Sequence, residues 1–447
     1  MAEIQSFRGL RYTAKAGEPR ALTCPPYDII SEEQRQAYLA ENPCNVIRLE
    51  LPKGEDPYGE AGRTLQSWME DGILKQDTEP ALYIYEEEFT AYGQKKKVKG
   101  LICRVKLEEF SKGIVLPHEE TLSKAKEDRF RLMQSTFCNF SQIYSLYMDE
   151  EHTTLSRIDL LSRDTPRYEF DDGEVIHRLW VVNDKAVIGA IQEDFRDRKL
   201  YIADGHHRYE TALNFRNWCR EQGLSQPGDD PDYVMMMLVD MEHDGLVVFP
   251  THRLIHGLPN FDSMALLSAC EDLFTVTHYE GLDRIQPVLD QEYADEHAAF
   301  AFYCGGEEWD LLVLRDLSAM DYFLPGMSEA SRHLDVTILH TLILEKRLGI
   351  DKENMAKQIN LSYTRDFDEA IASVRRGENQ CAFLLNPTRV TEIRDVAAAG
   401  EKMPQKSTYF YPKLITGLVM NKKVGEPRAS PHRISAAAGW AAALLSQ

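Results

Sequence analysis

Apolar and polar positions set out the first elements of the chain before any single residue is considered. Ala81-Leu82-Tyr83-Ile84-Tyr85 leads to a Tyr92-Gly93 turn, and Val98 to Val105 returns with Leu101, Ile102 and Val105 apolar. This pattern predicts a β-hairpin, with Lys95-Lys96-Lys97 and Lys99 at its solvated tip. Ser123 to Thr136 is charged and contains neither Gly nor Pro, which predicts a helix. Further strands are predicted at Asn45-Val46-Ile47-Arg48-Leu49 with Arg48 outward, at Leu179 to Val182, and at Cys381 to Leu385. Helices are predicted from Val336 to Leu348 and from Val390 to Ala399, the second ending at Gly400 as a C′ residue.

The clearest strand-turn-helix unit runs from Lys199 to Cys219. Leu200-Tyr201-Ile202-Ala203 is a short apolar run, and Tyr209, Ala212 and Leu213 then recur at helical spacing. Gln226 to Asp232 is a loop rich in Pro, Gly and Asp. Val234-Met235-Met236-Met237-Leu238-Val239 reads as a fully buried strand, its methionines as core rather than soft-metal ligands. Strands alternating with helices predict an α/β protein, with α+β as the alternative. Three regions are expected: 1–255 with the unit just described, 256–425 as a second α/β region, and a Pro- and Ala-rich tail over 426–447.

Composition narrows the picture. The chain has 447 residues, 43% of them hydrophobic and 10% aromatic, as in folded proteins. Eight scattered cysteines without a C-x-x-C pair, and a polar start through Glu3, Gln5, Arg8 and Arg11, fit a reducing compartment, so a cytoplasmic location is expected. No run of eighteen apolar residues occurs, and no membrane span is expected. Lys and Arg total 51 against 72 Asp and Glu, a net charge of −21, which disfavours nucleic acid as a partner.

Candidate chemistry centres on Asp204-Gly205-His206-His207-Arg208. A helix opening at His206 offers backbone N–H groups and the positive end of its dipole to an anion. Asp204 stands where an N-cap belongs, Gly205 permits close approach, and Arg208 supplies a planar fork for phosphate oxygens. Adjacent side chains on a helix diverge by about 100°, so His206 and His207 cannot share one metal; one can face a ligand while the other braces the turn. The plain alternative is an Asp-Gly turn with two exposed histidines.

A second cluster, His118-Glu119-Glu120-Thr121 followed by Lys126 and Arg129, is expected to open a helix. There Glu119 or Glu120 can act as a general base or Mg²⁺ ligand and Arg129 can meet a phosphate, or the segment is an ordinary charged helix start. A third stretch runs from Met403 to Lys413. From Gly400 it nearly spells a phosphate loop, but Gln405 replaces the second glycine and the segment before it reads as helix, so it is no Walker motif. Lys406, Ser407 and Thr408 remain a polar loop suited to a lid or wall over a ligand, or to simple loop packing. Cys24-Pro25-Pro26-Tyr27-Asp28 is a rigid turn, and Thr251-His252-Arg253 repeats the His-Arg pairing on an expected loop. Neither a zinc-ligand spacing nor a G-x-S-x-G elbow is present.

Taken in order, Pro25 to Asp28, Asn45 to Leu49, His118-Glu119 with Thr121, Asp204 to Ala212, Thr251 to Arg253 and Met403 to Lys413 resemble the bacterial and archaeal family numbered 1015 among domains of unknown function. The resemblance reaches from residue 1 to about residue 420. That family is similar, more distantly, to the ParB/sulfiredoxin superfamily, a mixed sheet with helices in which a G-H-H-R or G-H-R turn binds nucleotide phosphates. Its free-serine kinases carry a D-G-H-H-R turn like Asp204 to Arg208. The resemblance implies phosphate contacts from Gly205, His206, His207 and Arg208, a nucleotide such as ATP or ADP with Mg²⁺, and a catalytic carboxylate at Glu119 or, in its place, Asp204, beside His206.

The reading that results is a phosphoryl-transfer enzyme acting on a nucleotide or phosphorylated small molecule, with serine or phosphoserine as the small substrate. Lys406, Ser407 and Thr408 join the phosphate contacts, and His118, Arg129, His252 and Arg253 are further candidate ligand contacts. Two alternatives stand beside it: a nucleotide-responsive switch without turnover, and a metal-dependent hydrolase using His118, His206 and His252.

Overall fold

The structure, a computed structural model, describes residues 1–119 and 123–424. Glu120, Thr121 and the tail over 426–447 lie outside the described residues. The chain divides into two compact units, the first made of 1–117, 121–246 and 412–447, the second of 118–120 and 247–411.

The first unit is built on a mixed sheet that holds nine strands among the described residues. The hairpin is present as Leu82–Ala91 and Gln94–Lys106 around Tyr92-Gly93, both of which take positive φ. On one side of it lie Val175–Val182 and Tyr168–Asp171, antiparallel. On the other side follow Tyr233–Asp240, Ile143–Tyr147, Leu200–Asp204 and Val115–Leu116. Tyr233–Asp240 runs parallel to Ile143–Tyr147, and Leu200–Asp204 parallel to Val115–Leu116. The methionine run is the core of this sheet, since every residue of Tyr233–Asp240 is buried. One face packs Leu82, Ile84, Leu101, Val105, Ile143, Ile202 and Met236 against Tyr209, Ala212 and Leu213 of the helix His206–Glu221. The helix Ser123–Thr136 forms where the charged pattern predicts it.

Asn45 to Leu49 is not a strand. Its Val and Ile content favours one, but the Asn45 side chain accepts from the Ile47 N–H (2.9 Å) and starts the short helix Ile47–Glu50. Asn45 also donates to the carbonyls of Ala21 (3.0 Å) and Thr23 (2.9 Å), so a local side-chain bond overrides β-propensity. Arg48 is exposed, as expected, while Val46, Ile47 and Leu49 are buried.

The second unit carries a six-stranded antiparallel sheet in the order Phe274–Glu280, Glu308–Leu314, Ala299–Tyr303, Cys381–Leu385, His252–Ile255 and Leu361–Thr364. The helix Val390–Ala398 ends before Gly400, which has φ +74°. The apolar stretch expected as one helix from Val336 instead passes from α-helix over Asp335–Ile338 into π-helix over Leu339–Glu345. With strands and helices mixed in both units, the protein is of α/β class.

Candidate functional site

Asp204 closes the strand Leu200–Asp204 and Gly205 opens the helix. Gly205, not Asp204, holds the N-cap position, at φ +97°, and brings no side chain of its own to the helix end. The helix ladder begins with the Tyr209 N–H on the Gly205 carbonyl (3.0 Å), so the amides of residues 206–208 precede it at the positive end of the dipole.

Asp204 does different work from a cap. Arg208 donates from Nη2 to Oδ2 (2.7 Å), and Lys413 donates from Nζ to Oδ1. Burial pushes the Asp204 carboxyl up, but Lys413 and Arg208 outweigh it and hold the group well below the usual carboxylate range. Arg208 Nη1 is fixed on the Gln142 carbonyl (2.6 Å). His206 is buried, and burial also lowers the His207 imidazole.

Arg129 belongs to the same unit. It donates to the Glu50 carbonyl (2.8 Å), lies 3.5 Å from the Glu50 carboxylate, and stacks its guanidinium 4.0 Å from the centre of the Tyr27 ring. Glu50 is fully buried; desolvation raises it, and the charges of Arg129 and Arg208 pull the other way. The Pro25 to Asp28 turn, the Asn45 to Glu50 segment, Arg129 and the Asp204 turn are therefore drawn into one polar neighbourhood of the first unit. Lys413 and Glu50 were not singled out by sequence reasoning, although each adjoins or ends a block that was.

The other predicted residues gather in the second unit. His118 and Glu119 start no helix: the His118 carbonyl accepts from Met403 N–H (2.7 Å), and Glu119 forms an isolated parallel bridge with Met403. His118 Nε2 is 3.0 Å from Thr408 Oγ1. His252 and Arg253 lie on a strand rather than a loop, both buried, because that strand pairs on both sides. Arg253 donates to the Lys406 carbonyl (3.2 Å) and to His340 Nε2 (3.3 Å), with the Thr251 carbonyl a third acceptor. Thr388 holds the Ser407 carbonyl (2.8 Å). The Lys406–Thr408 loop is thus held at three points, by Arg253, Thr388 and His118.

Among the described residues no group of three His, Cys, Asp or Glu side chains is placed to hold a metal ion. His206 falls in the first unit and His118 and His252 in the second. No helix among them is long and apolar enough to cross a membrane.

Fold and site together define an α/β protein with a cationic strand-to-helix turn. The chain belongs to the family described as Protein of unknown function (DUF1015), whose model matches residues 4–337. None of the curated proteins matches it. A remote structural similarity extends to a conserved hypothetical protein from Pyrococcus furiosus, at 14% identity and TM-score 0.32, covering 70% of this chain and 92% of that one. It extends also to a free serine kinase in complex with AMP, at 14% identity and TM-score 0.34, covering 71% and 89%. A third such structure is SbnI with a C-terminal truncation from Staphylococcus aureus, at 11% identity and TM-score 0.33, covering 77% and 96%.

Proposed function

We propose that this protein binds a nucleotide or phosphorylated small molecule at the Asp204–Arg208 turn and transfers a phosphoryl group, with serine or phosphoserine as the small substrate. One observation carries the reading: two cations, Arg208 and Lys413, converge on Asp204 at the start of the helix His206–Glu221. A phosphate offered to that turn would meet amide N–H groups, the helix dipole and a guanidinium fork already oriented by Gln142. Positioning and charge neutralisation account for most of phosphoryl-transfer catalysis, and this turn supplies both. We read 1–255 as the ParB/sulfiredoxin-like region and 256–425 as the second region. Mg²⁺ would be carried chiefly by the nucleotide's own phosphates, since few protein carboxylates are needed for it; no step here depends on it.

Asp204 is poorly suited to take a proton, because its anionic form is stabilised by two cations. Thermal-shift titration with ATP, ADP, AMP, serine and phosphoserine, each with and without Mg²⁺, tests the reading. A ligand at 100 times its Kd adds about 2.7 kcal/mol. Stabilisation that Arg208→Ala removes supports the phosphate site, and no shift with any phosphorylated ligand overturns it. Direct assay of phosphoryl transfer between ATP and serine then separates an enzyme, which turns the pair over, from a nucleotide-responsive switch, which binds without turnover.

A further inference from the structure

The first unit contains a line of titratable groups that the proposed chemistry does not use. Glu87, on the strand Leu82–Ala91, is fully buried and stands directly opposite His177 on Val175–Val182. Tyr85, two residues before Glu87 and on the same sheet face, bridges them. Its hydroxyl lies 2.9 Å from Glu87 Oε1 and 2.7 Å from His177 Nδ1. His177 Nε2 then lies 2.9 Å from Asp172 Oδ2, and the Asp172 side chain is 36% exposed. Asp172 is oriented by the turn amides of Glu174 (2.9 Å) and Val175 (2.8 Å) on its other oxygen. The Phe170 ring packs 4.9 Å from the imidazole.

At the buried end, Glu87 Oε2 has no hydrogen-bond partner among the described residues. Leaving such an oxygen buried and unpaired is costly, more so when it is charged. Burial raises the Glu87 carboxyl to about 8, with the Asp172 charge adding to it and Tyr85 opposing. The row continues toward the candidate site. Tyr144 is opposite Asp204 in the sheet register, and its hydroxyl feels the charges of both Glu87 and Asp204.

We propose that Glu87, Tyr85, His177 and Asp172 form a proton path between a hydroxyl group held at Glu87 Oε2 and solvent at Asp172. One set of bond directions in the resting state leads a proton outward. Glu87 Oε1–H donates to Tyr85, Tyr85 donates to His177 Nδ1, and His177 Nε2–H donates to the Asp172 carboxylate. On transfer, Oε2 takes the hydroxyl proton while Oε1 releases its own to Tyr85. Tyr85 passes its proton to Nδ1, and Nε2 passes its proton to Asp172. Each group ends with as many protons as it had, except that the ligand has lost one and Asp172 has gained one. Read as an acceptor for the substrate hydroxyl, this rests on the phosphoryl-transfer proposal; as a coupled path, it does not.

Two measurements test it on the full chain. Infrared spectra across neutral pH should show a protonated carboxylic acid band that Glu87→Gln removes. In the wild type the His177 ¹⁵N shifts should report Nδ1 as the acceptor and Nε2 as the donor, and Tyr85→Phe should abolish that preference. A band untouched by Glu87→Gln, or a His177 tautomer unchanged by Tyr85→Phe, overturns the path. In the kinetic arm, Glu87→Gln and Tyr85→Phe should each lower kcat by about 10²-fold with the nucleotide KM unchanged. Unchanged kcat in both variants, folded as judged by circular dichroism, overturns the catalytic use. If no phosphorylated ligand is turned over, the proposed function fails and the spectroscopic arm alone decides the path.

Discussion

Lys413 and Asp204 form an ion pair although 209 positions separate them. The pair is part of a three-membered set, because Arg208 holds the second carboxylate oxygen. Asp204 therefore serves as the anchor that aims two cations at one helix start. Its side chain is 20% exposed, so solvent screens these charges only in part.

Removing the anchor should be costly at neutral pH. Asp204→Asn leaves Lys413 and Arg208 without their shared acceptor and should cost about 3 kcal/mol in denaturant unfolding. The carboxyl is lowered in the folded protein, so its contribution is full above the ordinary carboxylate value of about 3.9 and is lost as pH falls below that. The gap between variant and wild type should close on acidification below about pH 4; a gap that stays constant would assign the loss to shape alone.

Gly205 tolerates no side chain for two separate reasons. Its φ of +97° disfavours any L-residue, and a Cβ would stand 2.9 Å from the Arg208 guanidinium, which Asp204 and Gln142 keep in place. Gly205→Ala should cost about 1–3 kcal/mol and abolish stabilisation by nucleotides, as Arg208→Ala does. Thermal shift with and without ligand reads both effects.

Acid should weaken the second unit through two histidines. His252 Nδ1 accepts from the Leu385 N–H (3.2 Å), and His340 Nε2 accepts from Arg253, so both rings are held neutral. Burial and the Arg253 charge lower His252 to about 4 and push His340 well below its ordinary value. Both rings take up a proton only on unfolding, so stability should fall as pH drops from about 6.5 toward 4, by up to about 2.7 kcal/mol per pH unit. Urea unfolding of wild type and His252→Gln at several pH values checks this, and the variant should show a shallower slope.

The Lys406–Thr408 loop should behave as a fixed wall. Thr408→Val removes the hydroxyl that meets His118, and Thr388→Val the one that holds the Ser407 carbonyl. Each should cost about 1 kcal/mol, and the two together should speed proteolysis between Met403 and Tyr409. Wild-type cleavage at that loop as fast as in the double variant would mark it as mobile already.

Long periodic segments were legible in the sequence. The hairpin around Tyr92-Gly93, the buried methionine strand and the helix Ser123–Thr136 follow from apolar pattern and composition. The strand-Gly-helix turn was equally legible, because an apolar run, a glycine and helical spacing stand in a row. What failed was short and set by distant partners. Asn45 to Leu49 looks like a strand until the Asn45 side chain is seen bonding to Ala21, Thr23 and Ile47. His252-Arg253 follows a proline and looks like loop, yet its strand is fixed by pairing with Leu361–Thr364 and Cys381–Leu385. The Asp204 side chain was assigned to the nearest helix end, and no local pattern could reveal that Lys413 claims it instead.

The division of the first unit has a consequence for biosynthesis. At about 5–20 residues per second, a ribosome that has made Asp204 needs roughly 10–40 s to reach Lys413. During that interval the nascent chain carries the turn with Arg208 alone as its cationic partner, and the bridge between Asn421–Lys422 and Cys138–Asn139 is also still to come. A prematurely terminated chain ending anywhere before Lys413 would hold a whole Asp204–Arg208 sequence and an unfinished charge set. Completion of synthesis, rather than folding of the sheet, is then the event that arms the turn.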